Sequence, residues 1–200
     1  MISQPLKVGF LASGNGSSAR AIVAAIEAGE LAAEPRLLVS NNRTAPALAF
    51  ATEHEVPALC IPTQGDPQAA DTRLVEAMTR HSVEVIVLSG YLRQLGPRTL
   101  QRYEGRILNI HPGPLPQFGG HGMYGRRVHE AVIAAGVAQS GIVIHLVDAE
   151  YDRGPVVARR DVPVMPGDTA ESLEARITSL EPAFFLETLR RIAEGALKLP

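Results

Sequence analysis

Short apolar runs alternate with segments of helical periodicity through most of the chain. The runs are typical of buried strands, and they lie at residues 7–12, 37–39, 57–61, 83–88 and 106–110. Between them, apolar residues recur with helical spacing, which predicts helices at residues 17–28, 46–54, 69–80 and 126–135. Because strands and helices alternate, the pattern predicts a parallel sheet with helices on both faces.

The pattern changes in the last third of the chain. Residues 140–147 and 155–162 read as two strands joined only by the loop at residues 148–154, so they are expected to pair antiparallel. A final helix is predicted over residues 169–194, with Asp168 or the next residue as its cap. The predicted fold class is α/β: a Rossmann-like, mostly parallel twisted sheet with helices on both faces and an antiparallel carboxy-terminal strand pair.

Composition describes an ordinary globular chain. Its 200 residues are 46% hydrophobic and 20% charged with a net charge of −2, so we expect one domain over residues 1–200 and neither nucleic acid nor an anionic membrane as partner. The single cysteine, Cys60, cannot form an internal disulfide, and residues 1–7 lack a signal-peptide pattern. No apolar run approaches the roughly 20 residues that span a bilayer. A cytoplasmic location is expected, as a monomer or a homodimer.

The turn Ser13-Gly14-Asn15-Gly16-Ser17-Ser18 separates the first predicted strand from the first predicted helix. Its glycines let the backbone approach an anion closely, and the helix start offers free N–H groups and the positive end of its dipole. The turn is therefore a candidate phosphate cradle. A tight strand-to-helix turn favours the same residue types, so the motif alone leaves both interpretations open.

The spacing Gly14-x-Gly16-x-x-Ala19 also matches the dinucleotide-binding fingerprint, which would indicate a nicotinamide-dependent oxidoreductase. That hypothesis requires an acid at the end of the second strand to bind a ribose diol. The second strand is followed by residues 40–43, which include no carboxylate. Arg43 would tolerate the additional phosphate of NADP, so an NADP-dependent enzyme stays an alternative.

Asn109 and His111 lie at the end of the last predicted parallel strand. Alternation with Ile110 places both side chains on one face, and the prolines and glycine at residues 112–116 end the strand there. Asn supplies a fixed N–H donor and His donates a hydrogen bond or a proton near neutral pH, a pair suited to polarising a carbonyl. Alternatively, Asn109 caps the loop and His111 is a hydrogen-bonded surface residue.

Five motifs follow one another over nearly the whole chain. They are Ser13-Gly14-Asn15-Gly16-Ser17, Leu88-Ser89-Gly90-Tyr91-Leu92-Arg93, Leu108-Asn109-Ile110-His111-Pro112, residues 145–155, and Val162-Pro163-Val164 with Gly167-Asp168. Together they resemble the phosphoribosylglycinamide formyltransferases, folate-dependent enzymes of purine biosynthesis. The resemblance implies the formyltransferase fold, small-molecule substrates, and attack of the glycinamide amine on the formyl group of the co-substrate 10-formyltetrahydrofolate, without a metal.

The resemblance also implies roles for individual residues. Asn109 and His111 would bind and polarise the formyl oxygen, with His111 as proton donor. Asp152 would raise the basicity of His111 and keep the imidazole protonated near pH 7. His145 matches a family histidine, for which a structural role in a buried strand is the alternative. The phosphoribosylglycinamide would contact Asn15, Gly16, Ser17, Ser18 and Glu181, and the folate would contact Leu92, Arg93, Gln94, Leu95, Asn109, Asp148, Ala149 and Glu150.

Two features depart from the family pattern. The loop at residues 113–127 is longer than the commonest version and begins Gly-Pro-Leu-Pro where Ser-Leu-Leu-Pro is usual, which leaves the role of His121 undefined. A folate-binding arginine of the family has no counterpart near Pro67 and Gln68. Without the resemblance, Glu181 reads as a charged residue on the polar side of a helix.

Other classes of protein share parts of this pattern. Methionyl-tRNA formyltransferase and formyltetrahydrofolate hydrolase have the same Asn-x-His…Asp arrangement, but each is expected to need a further domain that 200 residues do not contain. A non-catalytic folate- or nucleotide-binding module would not need the combination of Asn109, His111 and Asp152. Formyl transfer to phosphoribosylglycinamide is therefore the favoured hypothesis.

Overall fold

A seven-stranded sheet runs through the protein in the computed structural model, which describes residues 4–200. Its strands are β1 (Leu6–Leu11), β2 (Ala33–Ser40), β3 (Ala58–Cys60), β4 (Val85–Leu88), β5 (Ile107–His111), β6 (Gln139–Leu146) and β7 (Val156–Pro163). The helices are α1 (Ser17–Glu27), α2 (Pro46–Glu53), α3 (Pro67–Arg80), α4 (Pro97–Arg102), α5 (Arg126–Ala134) and α6 (Ala170–Ala193). Residues 1–3, part of the stretch searched for a signal peptide, lie outside the described residues. No helix within residues 4–200 is long and apolar enough to cross a membrane.

The strand order is β3-β2-β1-β4-β5-β6-β7. The strands from β3 to β5 in this order pair parallel, whereas β6 pairs antiparallel with both β5 and β7. The predicted fold class is thereby confirmed. The chain first adds strands on one side of β1 and then continues with β4 on the other, so the order reverses between β1 and β4. Ligands of open α/β sheets bind at the carboxyl ends of the strands beside such a reversal.

Two apolar layers explain why the parallel strands read as continuous apolar runs. Successive side chains point to opposite faces, so Val85 and Val87 join one layer and Ile86 and Leu88 join the other. Helices α1, α2, α5 and α6 cover the first layer, and α3 with the end of α4 covers the second. The prediction of helices on both faces is confirmed.

The observed strands and helices differ most from the sequence-based expectation at two places. Strand β2 begins at Ala33, earlier than expected. Its first part was not recognised as a strand because it is polar, but it pairs with β1 through Pro35. Helix α4 was not predicted, since it is short and its amino terminus is capped from a distant part of the chain. The Asp71 carboxylate of α3 accepts the N–H groups of Arg98 and Thr99 at 2.9 and 3.0 Å.

The antiparallel pairing of β5 and β6 sets the geometry at the carboxyl edge of the sheet. In this register His145 of β6 lies directly across from Asn109 of β5, and Val143 lies across from His111. The loop that leaves β6 returns Asp152 to the same edge before β7 begins. Side chains from β5, β6 and the loop between β6 and β7 therefore converge there.

Candidate active site

Asn109, His111 and Asp152 form one cluster, as the sequence predicts, and His145 completes it. The Asp152 carboxylate lies 3.5 Å from His111 Nδ1 through one oxygen and 3.4 Å from His145 Nε2 through the other. The Asn109 amide nitrogen lies 3.1 Å from His145 Nε2. An amide, two imidazoles and a carboxylate thus meet at the end of β5.

His111 is almost completely buried, and the loop that follows β5 fixes its tautomer. Its Nε2 lies 2.8 Å from the carbonyl oxygen of Phe118, which only accepts, so the proton is on Nε2. Burial lowers the pKa of His111 more than the Asp152 carboxylate raises it. Burial of the ring therefore works against the expectation that Asp152 keeps it protonated near pH 7.

Neighbouring backbone and side-chain groups orient the amide of Asn109. His145 Nδ1 lies 2.9 Å from the carbonyl oxygen of Leu146 and donates to it, which leaves Nε2 to accept from the Asn109 amide. This hydrogen bond uses one of the two N–H donors of the amide. Within residues 4–200 the second N–H of Asn109 has no hydrogen-bond partner, and Asn109 lines the adjacent cleft.

Asp152 is held as a carboxylate in a strained backbone conformation. Its φ of 56° lies in the left-handed region, and its carboxylate accepts the N–H of Gly120 at 3.0 Å. Burial raises the pKa of Asp152, but the nearby His145 and His111 rings and the Gly120 N–H together outweigh burial, and the pKa is lowered overall. The group is therefore ionised at neutral pH.

A cleft of about 480 Å³ borders this cluster. It is lined by Leu88, Tyr91, Arg93, Gln94, Leu95, Asn109, His145, Val147, Asp148, Ala149, Glu150, Tyr151 and Asp152. The residues predicted for folate binding line it, with one exception. The Leu92 side chain is 69% exposed and does not line the cleft, because the Leu92 N–H donates to Ser13 Oγ at 2.8 Å and turns the side chain outward.

The predicted phosphate cradle lies at the start of α1. Gly16 adopts a left-handed conformation with φ of 66°, and a Cβ there would lie 3.1 Å from Ala47 Cβ. Within residues 4–200, the N–H groups of Ser17 and Ser18 have no acceptor, so both are available to an anion. Arg20 Nε donates to the Asn15 carbonyl at 2.8 Å and holds the turn against α1.

Hydrogen bonds join the phosphate cradle to the wall of the cleft. Ser89, at the end of β4, accepts the N–H of Ala19 at 3.0 Å, and the N–H of Ser13 donates to the Gly90 carbonyl at 3.1 Å. The Ser13 hydroxyl also donates to the Asn41 side chain at 2.6 Å, so a neutral amide stands where a dinucleotide-binding site would have an acid. These hydrogen bonds hold the cradle against the segment that forms one wall of the cleft.

Glu181 lies on α6. Within the described part of the chain its carboxyl has no hydrogen bond or ion pair, and burial raises its pKa to about 7 from the ordinary 4.5. A half-buried carboxyl without a partner is unfavourable when ionised. It is therefore a group that a ligand cation or amine would stabilise.

Glu181→Gln is expected to remove a pH dependence of stability. Folded Glu181 retains its proton up to about pH 7, whereas the unfolded carboxyl loses it near pH 4.3. Stability therefore falls as the pH rises through this window, by on the order of 1–2 kcal/mol for a partly exposed group. The difference between the melting temperatures at about pH 5 and about pH 8 should be smaller in Glu181→Gln than in the native protein. The exposed Glu194→Gln is the control, and equal pH dependence in all three proteins would contradict the assignment.

Two backbone groups in the site were not predicted, the Phe118 carbonyl and the Gly120 N–H. Both belong to the loop between β5 and α5, whose Gly119-Gly120 pair was the only sequence signal of a close approach. His129 on α5 is buried, and its Nδ1 has no hydrogen-bond partner in the described residues. Among residues 4–200, no group of three or more His, Cys, Asp or Glu side chains is placed to hold a metal ion.

Comparisons with known proteins agree with this geometry. The formyl transferase family matches residues 6–189. The chloroplastic phosphoribosylglycinamide formyltransferase of Vigna unguiculata is 37% identical over 190 residues, which cover 94% of this chain and 61% of the plant protein. The phosphoribosylglycinamide formyltransferase of Bacillus subtilis (strain 168) is 34% identical over 188 residues, covering 93% of this chain and 94% of the relative.

A solved structure gives the same result. The crystal structure of glycinamide ribonucleotide transformylase 1 from Symbiobacterium toebii superposes with a TM-score of 0.88 at 31% identity, covering 98% of this chain and 92% of the other. The chain thus spans about three fifths of the length of the plant relative and nearly the whole of the bacterial ones.

Proposed function

The chain belongs to the formyl transferase family, and we propose on this premise that it transfers the formyl group of 10-formyltetrahydrofolate to the amine of 5-phosphoribosylglycinamide. The products would be formyl-phosphoribosylglycinamide and tetrahydrofolate, in de novo purine biosynthesis. The observation that carries the proposal is the cluster of Asn109, His111 and Asp152 beside a cleft whose wall is hydrogen-bonded to a candidate phosphate cradle.

The cluster supplies what an acyl transfer needs. As the amine attacks the formyl carbon, negative charge develops on the formyl oxygen, and the second N–H of Asn109 donates to it. One such donor typically contributes on the order of 3 kcal/mol to the transition state. His111 adds its Nε2–H once the formyl oxygen replaces the Phe118 carbonyl as acceptor.

Proton balance assigns a role to the imidazole and the carboxylate. The attacking nitrogen loses one proton while the C–N bond to folate N10 breaks, and N10 gains one. Asp152 lines the cleft and lies 3.5 Å from His111 Nδ1, so the ring can take up the amine proton at Nδ1 and give one to N10 from Nε2. The Asp152 carboxylate stabilises the imidazolium that forms during this exchange.

The remaining groups fit the rest of the two substrates. The N–H groups of Ser17 and Ser18 would bind the phosphate beside Asn15 and Gly16, and the unpartnered carboxyl of Glu181 would accept a hydrogen bond from the glycinamide amine. The folate would lie along the cleft walls. Those walls are residues 93–95 on one side and residues 148–150 on the other.

An assay with the purified protein tests the proposal. We expect release of tetrahydrofolate, followed by absorbance, only when 10-formyltetrahydrofolate and phosphoribosylglycinamide are both present. Release without the amine would indicate a formyltetrahydrofolate hydrolase. Turnover with NADPH and a carbonyl compound but none with the amine would favour the oxidoreductase hypothesis. The cytoplasmic location and the choice between monomer and homodimer stay predictions.

A further inference from the structure

The long loop between β5 and α5 contacts the loop that carries Asp152. The Gly120 N–H donates to the Asp152 carboxylate at 3.0 Å. The rings of the neighbouring residues His121, which follows Gly120, and Tyr151, which precedes Asp152, meet edge to face, with centroids 5.9 Å apart and planes at 69°. This is a favourable aromatic geometry.

Asp152 depends on such contacts for its position. A non-glycine residue with a φ of 56° is strained and keeps its conformation only when its surroundings impose it. The groups that face its side chain are His111 from β5, His145 from β6 and the Gly120 N–H. Of these, only the Gly120 N–H belongs to a loop rather than a strand.

The loop is shaped to reach Asp152. A Cβ at Gly119 would overlap the Leu115 side chain and lie 2.9 Å from Asp152 Cβ. Gly120 has a φ of 104°, which other residues rarely adopt. Backbone this close to Asp152 needs an anchor on the solvent side, where His121 is exposed and Tyr151 is 47% exposed.

We propose that His121 and Tyr151 form an aromatic clasp that holds the Gly120 N–H on the Asp152 carboxylate. The two aromatic residues are then positioning residues for the proposed formyl transfer, on which this inference rests. They act through Asp152 and not through contact with the reacting atoms. His121 does not line the cleft, so it affects the folate site only through this contact.

The first test follows the Gly120 amide by hydrogen exchange in NMR spectra of the full chain. His121→Ala should accelerate exchange at Gly120 on the order of tenfold, because the local opening becomes easier. His121→Phe, which retains a ring, should restore slow exchange. Tyr124→Ala is the matched control, since Tyr124 is an exposed aromatic residue of the same loop that packs on Arg127.

The second test measures turnover of the same variants. His121→Ala should lower kcat by about three- to tenfold with little change in KM for the folate, because the carboxylate is displaced and the cleft is not. The acid limb of the kcat profile should move to higher pH, since a carboxylate that loses an N–H donor is protonated more readily. His121→Phe should return both values to those of the native protein.

The two tests separate the clasp from the proposed activity. Absence of turnover in the native protein would reject the proposed function, while the exchange comparison would still decide the clasp. Unchanged Gly120 exchange in His121→Ala and in Tyr151→Leu would overturn it. So would equal acceleration in Tyr124→Ala, because the effect would then be a general loosening of the loop.

Discussion

Replacing Asp152 by Asn is expected to lower kcat for formyl transfer by about 10²–10³-fold. The amide has nearly the same shape, but it carries no charge to stabilise the imidazolium that forms on His111. It also offers only one oxygen where the carboxylate serves His111, His145 and the Gly120 N–H. Steady-state kinetics with both substrates measure the loss.

The same substitution should change the melting temperature far less than the rate. The contacts of the Asp152 carboxylate with His111, His145 and the Gly120 N–H lie at the carboxyl edge of the sheet. The substitution leaves the apolar layers on both sides of the sheet unchanged. Asp161→Asn is the matched control, because that carboxylate is exposed on β7 and pairs only with Arg159 at 2.8 Å. Comparable kcat in Asp152→Asn and the native protein would remove Asp152 from the mechanism.

Asn109→Ala is expected to lower kcat by about 10²–10³-fold, the usual result of deleting one donor to a developing oxyanion. The truncation removes the unpartnered N–H proposed to bind the oxyanion and also leaves His145 Nε2 without its donor. Because the interaction strengthens as the oxyanion forms, kcat should fall much more than KM rises.

Gln101→Ala supplies the comparison for this prediction. Gln101 is an exposed amide on α4, so its truncation removes the same chemical group away from the site. A kcat for Asn109→Ala within a factor of about three of this control would show that Asn109 is not the oxyanion donor. An increase confined to the folate KM would assign Asn109 to binding alone.

The fold was predictable because the pattern of apolar residues has different periods in strands and helices. The central strands Val85–Leu88 and Ile107–His111 were predictable from their apolar residues. The short link between β6 and β7 predicted that these two strands pair antiparallel. Helix α4 was missed because its cap, Asp71, lies in another helix. No local pattern encodes a contact between residues that far apart.

The site was predictable as far as it depends on strand ends. Alternation along β5 put Asn109 and His111 together, and the family resemblance supplied Asp152. The low pKa of His111 was not predictable, since it results from burial beneath the loop and the Phe118 carbonyl. The outward direction of the Leu92 side chain was not predictable either, because it accompanies a backbone hydrogen bond to the distant Ser13.

The segment between β4 and α4 is held by hydrogen bonds at both ends, and this determines how the cleft binds a ligand. Ser89 and Leu92 are tied to the start of α1, and the Asp71 carboxylate secures the first turn of α4. This wall is preorganised. When a flat heterocycle binds against residues 93–95, the heterocycle loses translational and rotational entropy, but the protein loses little conformational entropy.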